Sequence, residues 1–328
     1  MPAEAAPLKV LFISSRFYDY FEVISDALTR NGCDVCGVPL RVTKQPLTAR
    51  ALGKIGLRRL VLRKELSVLH EALANARRDN DVVIVINGYN LTREDIAALR
   101  EANPRARFIY YTWDALTKFP ARRALMADFD RCLSFDPEDC RNNPELGFRP
   151  LFFSDKTMAR LQHSPSVSDS KWSVTFIGTD RPGRYELLQR IKRNSAGARL
   201  KPFLYLQTSV LKMLRDKFRG VGICHNKALP YSEFMRRNEE AACALDILET
   251  TGQTGLTMRT IEMLAIGKHL YTTNPYIARH PHIAPESFTV LDPDSPAIGG
   301  EFPSVRQPDE FYDYYSVDGF VRDLLHQP

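Results

Sequence analysis

Within residues 255–274, GLTMRTIEMLAIGKHLYTTN, Arg259 and Glu262 stand three apart in a run that is otherwise mostly apolar. The stretch reads as a glycine turn, a helix from Met258 to Ile266 capped by Thr257, and Gly267 as its left-handed stop before a strand. Met258, Ile261, Leu264 and Ala265 make its core face, which leaves Arg259 and Glu262 on another face near the amino end. That end carries unsatisfied N–H groups and the positive end of the helix dipole, so it suits a phosphate. Arg259 adds a bidentate donor. Gly255, followed by Leu256, lets a ligand approach the main chain. Glu262, one turn on, can accept two hydrogen bonds from a diol such as a ribose. The competing reading is an internal Arg259–Glu262 pair bridging the helix surface.

Other residues could serve the same chemistry. FIGTDRPGR, residues 176–184, follows an apolar strand and offers Gly178 and Thr179 at its end and Arg181 and Arg184 to neutralise a diphosphate. The alternative is an exposed basic turn. His225, Asn226 and Lys227 follow the short run GVGIC at a second strand end. Nearer the start, YYTWDAL places Trp113 and Asp114 at the end of another strand, with Asp114 the candidate general base. Helix capping by Asp114 and core packing of Trp113 compete with that reading. Arg16, Tyr18 and Asp19 follow the first strand. Asp136 and Asp139, in FDPEDC, read as turn and cap residues. Cys33 and Cys36 form a lone CxxC with no second pair and no ligand-spaced histidines, which reads as packing rather than zinc or redox chemistry.

The elements that position these residues alternate. KVLFIS (9–14), DVCGVP, DVVIVI (81–86), RFIYYTW (107–113) and RCLSF (131–135) read as strands, with helices over 18–30, 65–79 and 91–103. Strands that are apolar throughout mean a parallel sheet covered on both faces. HSPSVSDSK, 163–171, reads as a linker. After it the rhythm restarts with WSVTFIG, RYELLQRIKR, FLYLQ, a helix to Phe218, SEFMRRNEEA, ACALDIL and SFTVL, and FVRDLL makes a last short helix. The sequence therefore predicts two Rossmann-like α/β domains, 1–165 and 172–328, the last helix packing back on the first. No GxGxxG opens either half, which argues against a dinucleotide cofactor.

Composition narrows the classes. The chain has 328 residues, 44% hydrophobic and 26% charged, with net charge +6, which suits two globular domains and anionic partners. No apolar run is long enough to span a bilayer, the N-terminus lacks the features of a secretory signal, and six cysteines fit a reduced cytoplasmic setting. Between Arg41 and Lys64 stand eight Lys or Arg and no acid, interleaved with Leu, Ile and Val. That stretch resembles an element that lies on an anionic membrane surface, or else a solvated basic face. No RNP, KH or helix-turn-helix pattern appears, so no nucleic-acid partner is expected.

GLTMRTIEMLAIG is similar to the donor-site segment of GT-B glycosyltransferases, whose pattern runs close to E-G-F-G-x-x-x-x-E-A-x-A-x-G. DILETTGQTGLTMRTIEMLAIGKHLYTTN, YYTWD and LSFDPED further resemble bacterial lipopolysaccharide and capsular polysaccharide biosynthesis proteins. The resemblance implies two Rossmann-like domains facing a central cleft, with acceptor in the first and nucleotide-sugar donor in the second. It implies sugar transfer to a surface polysaccharide or lipid-linked glycan, with Glu262 on the donor ribose, Trp113 stacked on a sugar and no metal or other cofactor. Thr254 stands where the family often has a sugar-contacting glutamate, and Glu249 is the candidate substitute. A GT-B-fold nucleotide-sugar epimerase and a non-catalytic sugar-nucleotide binding protein are the alternatives.

Overall fold

A computed structural model describes residues 6–16, 19–40, 67–161, 170–198, 200–248, 252–299 and 302–326. The stretch Arg41–Lys64, Tyr18 and Glu249 lie outside the described residues. The chain divides into two units, Met1–Pro150 with Val317–Pro328, and Leu151–Ser316. The division falls at Pro150 rather than at the Ser-rich stretch, and the chain's last residues belong to the first unit.

In the first unit, β1 (Leu8–Ser15), α1 (Tyr20–Arg30), β2 (Cys33–Leu40), β3 (Val82–Ile86), α2 (Arg93–Ala102), β4 (Arg107–Thr112), β5 (Arg131–Ser134), α3 (Pro137–Asn142) and β6 (Leu146–Phe148) follow one another. The strands form one sheet in the order β2-β1-β3-β4-β5-β6, parallel throughout. Val82 to Ile86 are all buried, as β-branched residues flanked by strands on both sides should be. Thr92 caps α2 in a full capping box with Asp95. Asp136 caps α3, and buried Asp139 accepts from the Leu116 amide and the Ser134 hydroxyl. The strand β6 is absent from the sequence reading. Its three residues are too few to show a period.

In the second unit, β7 (Trp172–Thr179), α4 (Arg184–Asn194), β8 (Pro202–Gln207), α5 (Val210–Phe218), β9 (Cys224–His225), α6 (Tyr231–Glu239), β10 (Ala241–Asp246), α7 (Met258–Ala265), β11 (His269–Thr272) and β12 (Phe288–Val290) build a second sheet, ordered β12-β11-β10-β7-β8-β9 and again parallel. Read from the other edge this is the doubly wound order, with the direction of winding reversing between β7 and β10. The run GVGIC contributes only a two-residue strand, because Gly220 and Gly222 adopt φ of 69° and 72°.

The last helix, α8 (Val317–Leu325), packs on the first unit. Phe320 meets Tyr111 edge to face at 4.8 Å. Asp318 pairs with Arg30 at 2.9 Å. Arg131 donates to the Asp323 carbonyl at 2.6 Å, and Arg107 donates to the Leu325 carbonyl, so two guanidinium groups cover the negative end of the helix.

Candidate active site

In doubly wound sheets ligands bind beyond the carboxyl ends of the strands where the winding reverses. In the second unit that point lies between Thr179, ending β7, and Asp246, ending β10. Asp246 is 3% exposed. The Thr272 hydroxyl, from its register partner on β11, donates to Oδ2 at 3.0 Å. Burial pushes this carboxyl above the ordinary range, and Arg259, Thr272, Thr260 and Arg184 pull it back. The charges of two guanidinium groups thus act on this carboxylate.

The two arginines reach the point differently. Arg184, at the start of α4, donates from Nη1 to the Thr179 carbonyl at 2.7 Å and from Nη2 to the Ile247 carbonyl at 2.9 Å. Its fork ties the two sides of the switch point together, so Arg184 offers a ligand its charge more than its donors. The Arg259 guanidinium lies near the rings of Phe176 and Phe234, 5.7 and 5.5 Å from their centroids. A Cβ on Gly178 would come within 2.9 Å of the Phe176 ring and 3.6 Å of Arg259 Nη1. The close approach Gly178 permits is therefore that of the chain's own Phe176 and Arg259. Arg181 and Thr179 are exposed on the turn that Gly183, at φ 77°, closes before α4.

From Thr260 onward α7 is buried on every side, not along one stripe, while Met258 is only half-buried. Thr257 caps it, accepting from the Thr260 amide at 3.2 Å. The preceding turn is held by buried Asn274, which donates to the Thr254 carbonyl at 2.9 Å. Gly255 and Leu256 are buried behind that turn. Glu262 is 1% exposed and accepts from the Tyr231 hydroxyl of α6 at 2.7 Å. A charged pair inside a buried helix is thus explained by partners on other elements, Tyr231 for Glu262 and the Asp246 cluster for Arg259. His225 stacks on Tyr205, centroids 3.9 Å apart, and burial lowers its pKa. Lys227 is exposed and its carbonyl accepts from Tyr205. His225 ends β9 and Lys227 follows it, two strands from β7 and so about 10 Å along the sheet edge from the switch point.

In the first unit the winding reverses between β1 and β3. Ser14 and Ser15, ending β1, have buried hydroxyls without a hydrogen-bond partner among the described residues. After β3, Asn87, Gly88 and Asn90 all take positive φ, so the chain turns sharply. Asn87 donates to Asp114 Oδ2 at 2.9 Å, the Tyr89 hydroxyl donates to the same oxygen at 2.8 Å, and Arg122 Nη1 reaches it at 3.1 Å. Asn87 Oδ1 accepts from the Trp113 amide and the Thr112 hydroxyl. All three donors converge on Oδ2, and the Asp114 side chain remains 32% exposed. The Arg122 side chain is 8% exposed. Its guanidinium lies 3.9 Å from the Phe119 ring centroid and 4.5 Å from that of Tyr89, and its Nη2 is buried without a partner. Burial, then the charge of Asp114, raises the Tyr89 phenol. Trp113 is half-buried beside this network.

Arg16 pairs with Glu22 at 3.1 Å, both side chains well exposed, and Asp19 occupies the N-cap position of α1 without a side-chain cap bond. Cys33 is buried and Cys36 half-buried, and neither forms a disulfide. Among the described residues no three His, Cys, Asp or Glu side chains are grouped to share a metal ion, and no helix is long and apolar enough to cross a membrane. Sequence reasoning missed Asn87, Tyr89, Arg122, Tyr231 and Asp246. Only Asp246 carried a signal, an acid closing the otherwise apolar strand AACALD.

No protein-family model matches the sequence, and no curated protein does. Solved structures do match. One is an alpha-glucosyltransferase in complex with UDP and a 13-mer DNA containing a central A:G mismatch, with TM-score 0.52, 14% identity and 81% of each chain covered. Another is AviGT4, a glycosyltransferase involved in avilamycin A biosynthesis, with TM-score 0.55, 12% identity, and 97% of this chain and 95% of that one covered. The chain has a glycosyltransferase fold. At these identities the likeness is one of architecture, two Rossmann-like units of the GT-B kind, and the site rests on this chain's own geometry.

Proposed function

We propose that the chain is a glycosyltransferase that moves a sugar from a nucleotide-sugar donor to a glycan or lipid-linked acceptor without a metal ion. The observation that supports the reading is the switch point of the second unit, where Arg184 ties the ends of β7 and β10 together and the Arg259 guanidinium lies beside Gly178. Beyond the ends of β7 and β10 the charges of Arg259 and Arg184 would stabilise a leaving nucleoside diphosphate, the task that a divalent ion performs in other designs. Glu262, half a helix on, is the diol acceptor for the donor ribose, with Tyr231 orienting its carboxylate. Asp114 is the base. The acceptor hydroxyl oxygen forms the new bond to the anomeric carbon, the bond from that carbon to the diphosphate oxygen breaks, and the hydroxyl proton passes to Asp114 Oδ1. Asn87, Tyr89 and Arg122 hold Oδ2 and so fix the orientation of the carboxyl. Surface polysaccharide or lipopolysaccharide assembly on the cytoplasmic side of a membrane is the setting this reading favours.

A thermal-shift screen over nucleosides, nucleoside diphosphates and nucleotide sugars tests it. A ligand at 100 times its Kd stabilises by about 2.7 kcal/mol, and the diphosphate-containing members should shift the melting temperature where the nucleosides do not. Duplex DNA is included because one structural neighbour was solved with it. A response to DNA alone, with none to any nucleotide sugar, would overturn the reading.

A further inference from the structure

A surface helix ordinarily turns its apolar stripe to the core and its charges to water. Helix α5 turns four apolar side chains to water beside its basic ones. Val210, Leu211, Leu214 and Phe218 are 54%, 80%, 43% and 90% exposed, while Asp216 is 3% exposed. Asp216 fixes the helix in that rotation, because its Oδ1 accepts from the Tyr185 hydroxyl and its Oδ2 from the Cys224 amide, both at 2.9 Å. At 100° per residue the four apolar side chains fall in one arc centred opposite Asp216. Lys217 borders that arc on one side and Arg215 and Arg219 on the other, all three exposed. The helix's only acid is the one turned inward.

We infer that α5 is a bilayer-contacting element that seats its apolar arc in the interfacial region of an anionic membrane while its basic rim engages lipid phosphates. Charge complementarity selects this occupant. An apolar strip with cations on both borders and no outward acid matches an anionic headgroup layer over an acyl boundary. A second copy of the chain would bring two basic rims together, which like-charge repulsion opposes. The surface belongs to the second unit, and the inference draws nothing from the basic stretch Arg41–Lys64. It does not depend on the sugar-transfer reading, because the apolar arc faces away from the core and Asp216, not the switch point, anchors it.

The full chain is floated with phosphatidylcholine vesicles and with vesicles containing a third phosphatidylglycerol. The parent should float with the anionic vesicles, and less as salt rises through the physiological range. Leu211→Ser with Phe218→Ser should lower partitioning about tenfold or more for each large side chain removed. Both side chains are already mostly in water, so melting temperature and nucleotide response should stay at parent values. Arg215→Gln, Lys217→Gln and Arg219→Gln together should weaken anionic binding by about fivefold per charge and leave the salt dependence shallower. In Phe218→Trp, the added tryptophan emission, taken as a difference from the parent, should shift to the blue on vesicle addition. The inference is overturned if the double serine variant floats as well as the parent. It is overturned equally if sedimentation shows a parent dimer that the double variant loses, since a second copy then covers the helix. Failure of nucleotide binding in the parent would count against the sugar-transfer reading and leave this one standing.

Discussion

Asp114→Asn should damage the protein twice, and the two losses can be measured apart. Arg122 is 8% exposed and its one hydrogen-bonded ion-pair partner is Asp114, whose side chain is 32% exposed. Removing one member of a buried pair costs about 3–5 kcal/mol, because the remaining charge stays buried. Water reaches Asp114 and offsets part of this, so about 2 kcal/mol is the expected loss. For a unit of this size each kcal/mol moves the melting temperature by about 2–4 °C, so Asp114→Asn should melt about 4–8 °C lower. Arg122→Met keeps the stem packed against Phe119 and Tyr89 and leaves Asp114 with Asn87 and Tyr89 as donors, so its loss should be smaller. The double variant has no uncompensated charge and should recover at least about 1 kcal/mol relative to the sum of the singles. Transfer follows a different order. Asp114→Asn should lose about a hundredfold or more in kcat whether or not Arg122 is present, whereas Arg122→Met retains the carboxylate and should lose less. A double-mutant cycle by denaturation, run beside a transfer assay on the same four proteins, decides it. Additive stability losses would mean the ion pair is worth nothing, and a parent-like rate for Asp114→Asn would remove it as the base.

Other outcomes follow from the second unit. Arg259→Ala should weaken nucleoside diphosphates more than nucleosides and also cost stability, since Asp246 loses a cation; adding Asp246→Asn should restore the stability but not the diphosphate affinity, and recovery of both in calorimetry and melting would make Arg259 structural. Glu262→Gln should weaken nucleotide binding by about 1–3 kcal/mol, and unchanged affinity in calorimetry would remove Glu262 from the site. Transfer should persist in a chelator, so that activity abolished by chelation and restored by manganese or magnesium would contradict a metal-independent site. Burial lowers the Lys268 ammonium to about 8 from its ordinary 10.5, so the folded state binds fewer protons between those values, and the stability this group contributes is present above about 10.5 and lost as pH falls through about 8. The parent should therefore gain on Lys268→Met between pH 7.5 and 9.5, and parallel unfolding curves would show that the lysine is not held in this state.

The parallel sheets were legible because β-branched runs such as DVVIVI carry their burial openly, and α7 was legible from Thr257 and Gly267. What a single segment cannot display is which side chains of distant segments meet. That Glu262 also accepts from the Tyr231 hydroxyl was hidden, because Tyr231 lies on another helix. That Arg184 spends its donors on the carbonyls of Thr179 and Ile247 was hidden too, because those carbonyls belong to two different strand ends. Asp114 was visible at the end of its strand, but Arg122 arrives from a turn eight residues later with no periodicity to announce it. The outward apolar face of α5 was invisible for a related reason. The pattern of VLKMLRDKF is amphipathic either way round, and only the bonds to Asp216 decide which side faces water.

Buried polar groups stand at both ends of these sheets. Ahead of the strands Asn80 donates to Asn103 Oδ1 at 2.7 Å, and main-chain bonds surround that contact. Asn103 donates to the Leu99 carbonyl at 2.8 Å, Asn80 to the Arg77 carbonyl at 2.7 Å, and Lys268 to the carbonyls of Glu239 and Ala241 at 3.0 and 2.8 Å. Such bonds finish helix ends and strand entries and leave nothing to exchange. Beyond the carboxyl ends several bonds join side chain to side chain, Thr272 to Asp246, Tyr231 to Glu262, and Asn87 and Tyr89 to Asp114, beside main-chain bonds made by Arg184, Asn274 and Asn87. A network of that kind adds little to stability over an apolar filling and is costly when half satisfied. Its members can pass a hydrogen bond to a ligand without breaking an element of the fold. Where such groups gather beyond the strand ends at which the winding reverses, they agree with the polar-substrate site proposed above.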